Sequence, residues 1–335
     1  MKNSKTPLIL IKSLILLITF FTLATSCEND NDPPIHTNTI ARLLSNGSKV
    51  KLFTKALDRV HFLDDLHGTK KYTVFAPDDD AFEDFLEEND YDEIDDIPKS
   101  ELKKIILNHI IPTKEISMDD LLDMDKEYVE SSAGYSLFIE VDVDEISINR
   151  TTKLDDEVLD VEASNGIIHL VNNVINTPTI ATFLELDTQF SSLYKGLTTA
   201  TPNTDFITSL KSLETDDASD APFTVFAPNN EAIETFLETN DNWDKIEDID
   251  ESTLSPILKH HIITTKAISK KTLTDGLQSA KSLEGDNLVF TKLNDKITIK
   301  DGSGNESIKI LIFDIKTRNG IIHCIESVLI PNTEN

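Results

Sequence analysis

Two pairs of histidines, His109 with His169 and His261 with His323, have the residue type and recurrence that could do chemistry. Imidazole is the usual general base near neutral pH and a common metal ligand. Each of these histidines, however, is embedded in isoleucine and leucine, as in Leu107-Asn108-His109-Ile110-Ile111 and Ile167-Ile168-His169-Leu170. Such flanks favour a histidine buried against the backbone over a base or a ligand. Asp78-Asp79-Asp80 has the look of a calcium cluster, but the matching stretch later in the chain is Asn229-Asn230-Glu231. A helix start wants polar caps and tolerates anions, which accounts for both stretches; calcium accounts for one. No serine stands in a Gly-x-Ser-x-Gly setting. There is no His-Glu-x-x-His and no Cys-x-x-Cys, and only ten glycines are available for a phosphate loop. The chain therefore reads as a non-enzyme with no cofactor, no metal and no catalytic residues.

The elements around these residues occur twice. Thr73-Val74-Phe75-Ala76-Pro77 is a β-prone run closed by a proline, and Thr224-Val225-Phe226-Ala227-Pro228 repeats it. Proline has no N–H for a ladder, so each strand should end there. Asp78 or Asp79, and Asn229 or Asn230, are then N-cap candidates. Phe82, Phe85 and Leu86 follow at helical spacing, as do Ile233, Phe236 and Leu237. Leu102, Ile105, Ile106 and His109 form another helical stripe, with Ser100 as its expected cap, and Leu254, Ile257, Leu258 and His261 copy it. Asn165-Gly166-Ile167-Ile168-His169 returns as Asn319-Gly320-Ile321-Ile322-His323. The copies are 151, 152 and 154 residues apart, from Thr73 to Thr224, His109 to His261 and Asn165 to Asn319. That is a tandem pair of domains, assigned to residues 37–177 and 178–333, each large enough for its own core.

Within the first domain, two short helices are expected before the corner, and strands at 135–141, 146–148 and 166–174. In the second, strands are expected at 288–292, 297–300 and 308–314, and the stretch 199–220 reads as a surface loop around a short apolar element, 206–210. Short helices mixed with hairpin-connected strands make each domain α+β.

The Thr-Val-Phe-Ala-Pro corner, the His-Ile-Ile element and the Asn-Gly-Ile-Ile-His segment, found twice in the same order, resemble fasciclin-like (FAS1) domains. Residues 73–82 and 224–233 match the family's first block, 165–173 and 319–327 its second, and His109 and His261 the histidine between them. Ile233 stands where phenylalanine is usual, and Glu231 where a small or polar residue is usual. The resemblance implies a β-wedge with helices around it. It also implies secreted, lipid-anchored or matrix proteins that work in adhesion and in protein or glycan contact, mostly without catalysis.

The first 26 residues read as a leader: Lys2 and Lys5, then an apolar stretch too short to span a bilayer comfortably, with Lys12 inside it. Leu23-Ala24-Thr25-Ser26-Cys27 resembles a bacterial lipoprotein processing site, with Cys27 as the lipid attachment point, although alanine stands three residues before the cysteine where leucine is usual. The competing reading is an ordinary signal peptide with an incidental cysteine, or an uncleaved anchor. Residues 27–36 form an acidic tether similar to that of surface-exported lipoproteins of Bacteroidetes, which implies an outer-membrane, outward-facing location, with a periplasm-facing one as the alternative. With Cys27 acylated, Cys324 has no intramolecular partner. It lies among isoleucines where the first copy has Leu170, as a small buried hydrophobe would.

Sixty acidic residues against 31 basic ones give a formal charge of −29, and losing Lys2, Lys5 and Lys12 with the leader takes it to −32. Such a field repels nucleic acid and anionic membrane, so the lipid anchor is the membrane contact expected. The expected partner is a protein or glycan on a cell surface or matrix. A glycan-binding lipoprotein is the alternative, but one tryptophan and five tyrosines are thin material for stacking sugars. The oligomeric state is not legible.

Overall fold

The computed structural model describes residues 38–124, 126–143, 145–155, 160–212 and 223–332. The leader, Cys27 and the tether lie outside the described residues. The first unit runs α1 (Ile40–Asn46), α2 (Lys51–Arg59), β1 (Tyr72–Pro77), α3 (Asp79–Glu88), α4 (Lys99–Asn108), β2 (Ile110–Pro112) and α5 (Met118–Leu122). It continues through β3 (Lys126–Glu130), β4 (Ser136–Asp142), β5 (Glu145–Ile148), β6 (Thr152–Lys153), β7 (Val161–Ala163) and β8 (Gly166–Val171). The second unit runs α6 (Ile180–Leu186), α7 (Ser191–Leu197), α8 (Phe206–Lys211), β9 (Phe223–Pro228), α9 (Asn230–Leu237), α10 (Glu251–His260) and β10 (Ile262–Ile263). It ends with β11 (Gly276–Lys281), β12 (Asn287–Leu293), β13 (Lys296–Lys300), β14 (Ile308–Thr317) and β15 (Gly320–Ile325). Each unit is α+β.

The corner strand is the centre of each unit. β1 lies between β2, antiparallel to it, and β8, parallel to it; β9 lies in the same way between β10 and β15. The parallel pairing departs from the hairpin expectation. A parallel neighbour needs a crossover, and here nearly a whole domain is the crossover. Strands covered on both faces are continuously apolar. Val74 and Ala76 join the helical core of the first unit while Phe75 joins a second core with Ile111, Leu137, Ile139 and Ile148. Val225 and Ala227 are divided from Phe226 in the same way.

Some local expectations change. α4 begins at Lys99 behind Pro98 with no side-chain cap, so Ser100 sits inside the first turn. Proline just ahead of a helix already fixes the entry geometry. The strand expected to reach Val174 stops at Val171. The short apolar element expected at 206–210 is α8, whose Phe206 and Leu210 are buried; residues 213–222 lie outside the described residues.

The two units touch through β3 and β4. Their inward side chains, Val129, Leu137 and Ile139, face the first unit's own core, but Tyr128 and Phe138 point outward and pack on Phe183 of α6. Asp187, fully buried, accepts from Lys126 Nζ at 2.6 Å, from the Tyr128 hydroxyl, and from Gln189 Nε2 at 2.7 Å. Burial first, and the Asp187 carboxylate second, push the Tyr128 hydroxyl far above its ordinary pKa. At the rim, Lys316 pairs with Glu130 at 2.7 Å and Arg318 with Glu101 at 2.6 Å. Asp187→Ala leaves a half-buried ammonium and a buried hydroxyl without their acceptor. It should lower stability by about 3 kcal/mol and split urea unfolding into two steps. A single transition with an unmoved midpoint would show that Asp187 contributes nothing to the junction.

Candidate functional site

The repeated polar residues are all engaged within the fold. Asp78 and Asn229 cap α3 and α9, accepting from Ala81 N and Ala232 N at 2.7 and 2.9 Å. Their neighbours tie the preceding helix to the corner: Asp79 accepts from Leu52 N at 2.8 Å, and Asn230 from Ser192 N at 3.0 Å. Thr73 Oγ1 donates to Lys114 O and accepts from Ile116 N, both at 2.9 Å; Thr224 does the same with Lys266 O and Ile268 N, both at 2.8 Å. Pro77 and Pro228 are the last residues of their strands.

Asn165 accepts from Ile40 N and donates to Leu66 O and Gly68 O; Asn319 accepts from Ile180 N and donates to Leu210 O and Ser212 O. One amide thus joins the domain's first helix, a central turn and the last strand. Asn165→Ala strands three backbone groups, two of them buried. Unfolding should become easier by about 3 kcal/mol, read from the denaturation midpoint; a change below about 1 kcal/mol would remove the node from the fold's essentials.

The histidines are buried and neutral. His109 Nδ1 donates to Ile105 O at 2.9 Å while Nε2 accepts from Ile175 N at 2.8 Å; His261 repeats this with Ile257 O and Leu329 N at 2.8 and 2.9 Å. With both nitrogens committed, neither ring has a lone pair for a substrate or a metal. Burial lowers the His109 pKa to about 4 and that of His261 to about 3. His169 and His323 stack on Phe75 and Phe226, with centroids 5.6 and 5.4 Å apart, and donate from Nε2 to Ile116 O and Ile268 O. His323 Nδ1 accepts from Asp314 N at 3.1 Å, whereas the buried His169 Nδ1 has no hydrogen-bond partner among the described residues.

One pairing escaped sequence reasoning because its members lie 22 residues apart: His260 beside Ser282, at 3.1 Å. Gly302 N donates to His260 Nε2 at 3.2 Å, so the ring proton sits on Nδ1 and points at Ser282 Oγ. That tautomer cannot take the serine proton. Cys324 is buried, its thiol pushed up to about 12 chiefly by burial. Among the described residues, no group of three or more His, Cys, Asp or Glu side chains could hold a metal ion, and no helix is long and apolar enough to cross a membrane.

Surface chemistry is concentrated elsewhere, on the outer face of the β11–β14 sheet. Val129 opposite Leu137 corresponds to Ala280 opposite Leu288, and Tyr128 opposite Phe138 to Ser279 opposite Val289. The face through which the first unit meets the second therefore has a counterpart in the second unit, where Leu277 and Leu293 are 74% and 71% exposed and Leu311 is 50% exposed. Polarity has inverted between the two: Lys281 stands in place of Glu130 and Lys296 in place of Glu145. Lys300 and Lys309 share the face, by strand alternation and register. Sequence reading missed it because β11, a short edge strand of Gly, Gln, Ser and Lys with one leucine, carries little β signal.

The profile of the Fasciclin domain family matches residues 48–178 and 189–331. Transforming growth factor-beta-induced protein ig-h3 of Sus scrofa is 32% identical over 52% of this chain and 23% of its own length. Periostin of Homo sapiens is 30% identical over 51% of this chain and 18% of its own. Protein sll1483 of Synechocystis is 28% identical over 42% of this chain and 74% of its own. The chain thus spans only about a fifth of the two larger relatives. A solved FAS1 domain pair from the insect cell adhesion molecule fasciclin I aligns with TM-score 0.49 and 20% identity, over 86% of this chain and 94% of that one. With the family profile matching twice across most of its length, the chain belongs to the fasciclin domain family.

Proposed function

We propose that this chain is a cell-envelope lipoprotein whose two fasciclin domains make adhesive contact with a protein or matrix partner outside the cell. The observation that carries the reading is the outer face of β11–β14. It is the counterpart of a face already used for domain contact, it displays Leu277, Leu293 and Leu311, and nothing in the described chain covers it. Single exposed apolar residues are ordinary, but three on one sheet face interleaved with lysines form a contact surface. Lys281 and Lys296 favour a partner with an acidic rim, while Lys300 and Lys309 are paired within the chain with Glu306 and Glu326 at 2.5 and 3.0 Å. Family membership supports contact as the kind of work done, and the repeated polar residues, engaged within the fold, leave the surface as the place for it.

The test is saturable binding of the leader-free chain to intact cells and immobilised matrix proteins, with a glycan array and product assays in parallel. Leu277→Ser with Leu293→Ser should weaken protein binding about tenfold, as expected for losing two interface leucines, with unchanged melting. Undiminished binding by that double variant would move the contact elsewhere. Binding confined to glycans, or turnover of any of them, would replace the reading altogether.

Cys27 supplies the proposed anchor. Cys27→Ala should abolish incorporation of a fatty-acid analogue and release or mislocalise the protein, since lipid on this residue is the proposed grip. Label retained by the variant would exclude Cys27 as the attachment point.

A further inference from the structure

The outer face of β11–β12 and the helix α1 are the two halves of a junction that the chain builds once within itself. α1 and α6 are equivalent helices of seven residues. Each has a threonine N-cap and an extended C-cap, Gly47 and Asp187, and the first N–H of each donates to the repeated asparagine. In the junction the outer face of β3–β4 docks on α6. Among the described residues no further domain meets the equivalent β11–β12 face of the second unit or α1 of the first. Leu43 of α1, at the position of Phe183, is left partly exposed.

Residues on these two faces differ from their junction counterparts in matched pairs. Among the described residues three ion pairs cross the junction: Glu130 with Lys316, Lys126 with Asp187, and Glu101 with Arg318. Glu130 corresponds to Lys281. Lys316 corresponds to Glu162, since Lys316 stands opposite Ile321 as Glu162 stands opposite Ile167. That pair is reversed in sign on both sides and stays complementary. Lys126 and Asp187 correspond to Leu277 and Gly47, and Glu101 and Arg318 to Thr253 and Ser164. Both members of each have lost their charge together. Gln189 and the Tyr128 hydroxyl, hydrogen-bonded across the junction, correspond to Lys49 and Ser279, again a donor and an acceptor. Faces that meet only water have no reason to change in step, and separate change would leave charges opposite neutral or like partners. None of the three ion pairs has become such a half-pair.

We infer that the β11–β12 face is occupied by α1 of a second copy of this chain, in the register of the junction within the chain. Lys281 then meets Glu162, Leu277 lies over Gly47, and Val289 packs on Leu43. The two faces differ, so the contact is heterologous: each copy offers one of each, and association continues into rings or filaments. The inference rests on the reading of this face as a contact surface and names its partner.

The test follows the mass of the leader-free chain by sedimentation velocity at concentrations up to about 1 mM, a ceiling that only very weak association would escape. In about 0.15 M salt, which screens the overall charge, mass should grow beyond that of a dimer. Lys281→Glu and Glu162→Lys should each weaken association about tenfold or more, by setting like charges opposite each other. Glu162→Lys is the sharper arm, because it lowers the net negative charge and would strengthen any unspecific association. Mixing the two variants should restore growth, since the altered face of one then complements the altered face of the other. Lys296→Glu should leave association unchanged, because its counterpart Glu145 pairs with Lys153 inside the first unit and does not cross the junction. A chain that stays monomeric throughout, single variants that associate as the parent does, a mixture no larger than its parts, or equal weakening by Lys296→Glu would each overturn the inference. If the chain is monomeric while Leu277→Ser with Leu293→Ser still lowers binding to cells, the face keeps its contact role and the second copy is excluded as its partner.

Discussion

Gly166→Ala is expected to unfold the first domain while the second keeps its structure. Gly166 has φ +149°, where an L side chain is strained, and a Cβ built on it falls 1.9 Å from Tyr72 O and 2.8 Å from Ile40 Cδ1. Neither neighbour can move cheaply. Tyr72 N is bonded to Asn165 O at 3.1 Å at the start of the β1–β8 ladder, and Ile40 opens the helix that Asn165 holds. Strained backbone plus a clash with ladder backbone belongs to the class of substitutions that lose more than about 4 kcal/mol. Gly134→Ala is the matched control, because Gly134 has φ +81° and nothing within 4 Å of an added Cβ. It carries conformational strain alone, about 1–2 kcal/mol. Hydrogen exchange should therefore show β1 and β8 unprotected in Gly166→Ala, with β9 and β15 still protected. Protection of β1 comparable to that in Gly134→Ala would mean the backbone had relaxed around the new methyl. Gly320, whose Cβ would lie 2.5 Å from Phe223 O, should give the mirror result in the second domain.

The same residues show how far sequence reading reached. Thr73, Asn165 and His109 stood out because each recurs in the second copy, and type and burial context follow from local neighbours. Their partners did not stand out, because those partners are backbone groups far along the chain: Lys114 and Ile116 for Thr73, Ile40 and Leu66 for Asn165. Any residue has a backbone, so composition cannot signal such a bond. The parallel pairing of β1 with β8 was hidden for a related reason: a strand buried on both faces has no alternation from which neighbour or direction can be read. Phe138 was legible as a strand residue, but its burial comes from Tyr128 on the neighbouring strand and from Phe183 across the domain junction, and alternation within β4 does not say that a second domain waits on the outer face.

Acid should weaken both domains between about pH 6.5 and 4.5, the interval that separates histidine titration from that of ordinary carboxylates. An unfolded histidine titrates near 6.5, whereas burial lowers His109 to about 4 and His261 to about 3, the latter helped by neighbouring His260. His169, His260 and His323 are also lowered, each chiefly by burial. In this interval the unfolded chain binds more protons than the folded one, so stability rises with pH and is lost as pH falls. The contribution is complete above the unfolded value and continues to erode toward the folded ones. Integrated over its whole range, each of His109 and His261 accounts for on the order of 3 to 5 kcal/mol. The 60 acidic residues act in the opposite sense lower down, since protonating them relieves self-repulsion. Asp95, Asp120, Asp205 and Glu306, held low by hydrogen bonds to their neighbours, add their own loss only below the ordinary carboxylate range. Urea midpoints measured from pH 8 to 4.5 should stay level down to about pH 7 and then fall. His261→Gln cannot be protonated there. It should start less stable than the parent at pH 8 and lose less on acidification, so that the two curves converge. Parallel curves would show that His261 is not protonated on unfolding and would remove it as a source of acid sensitivity.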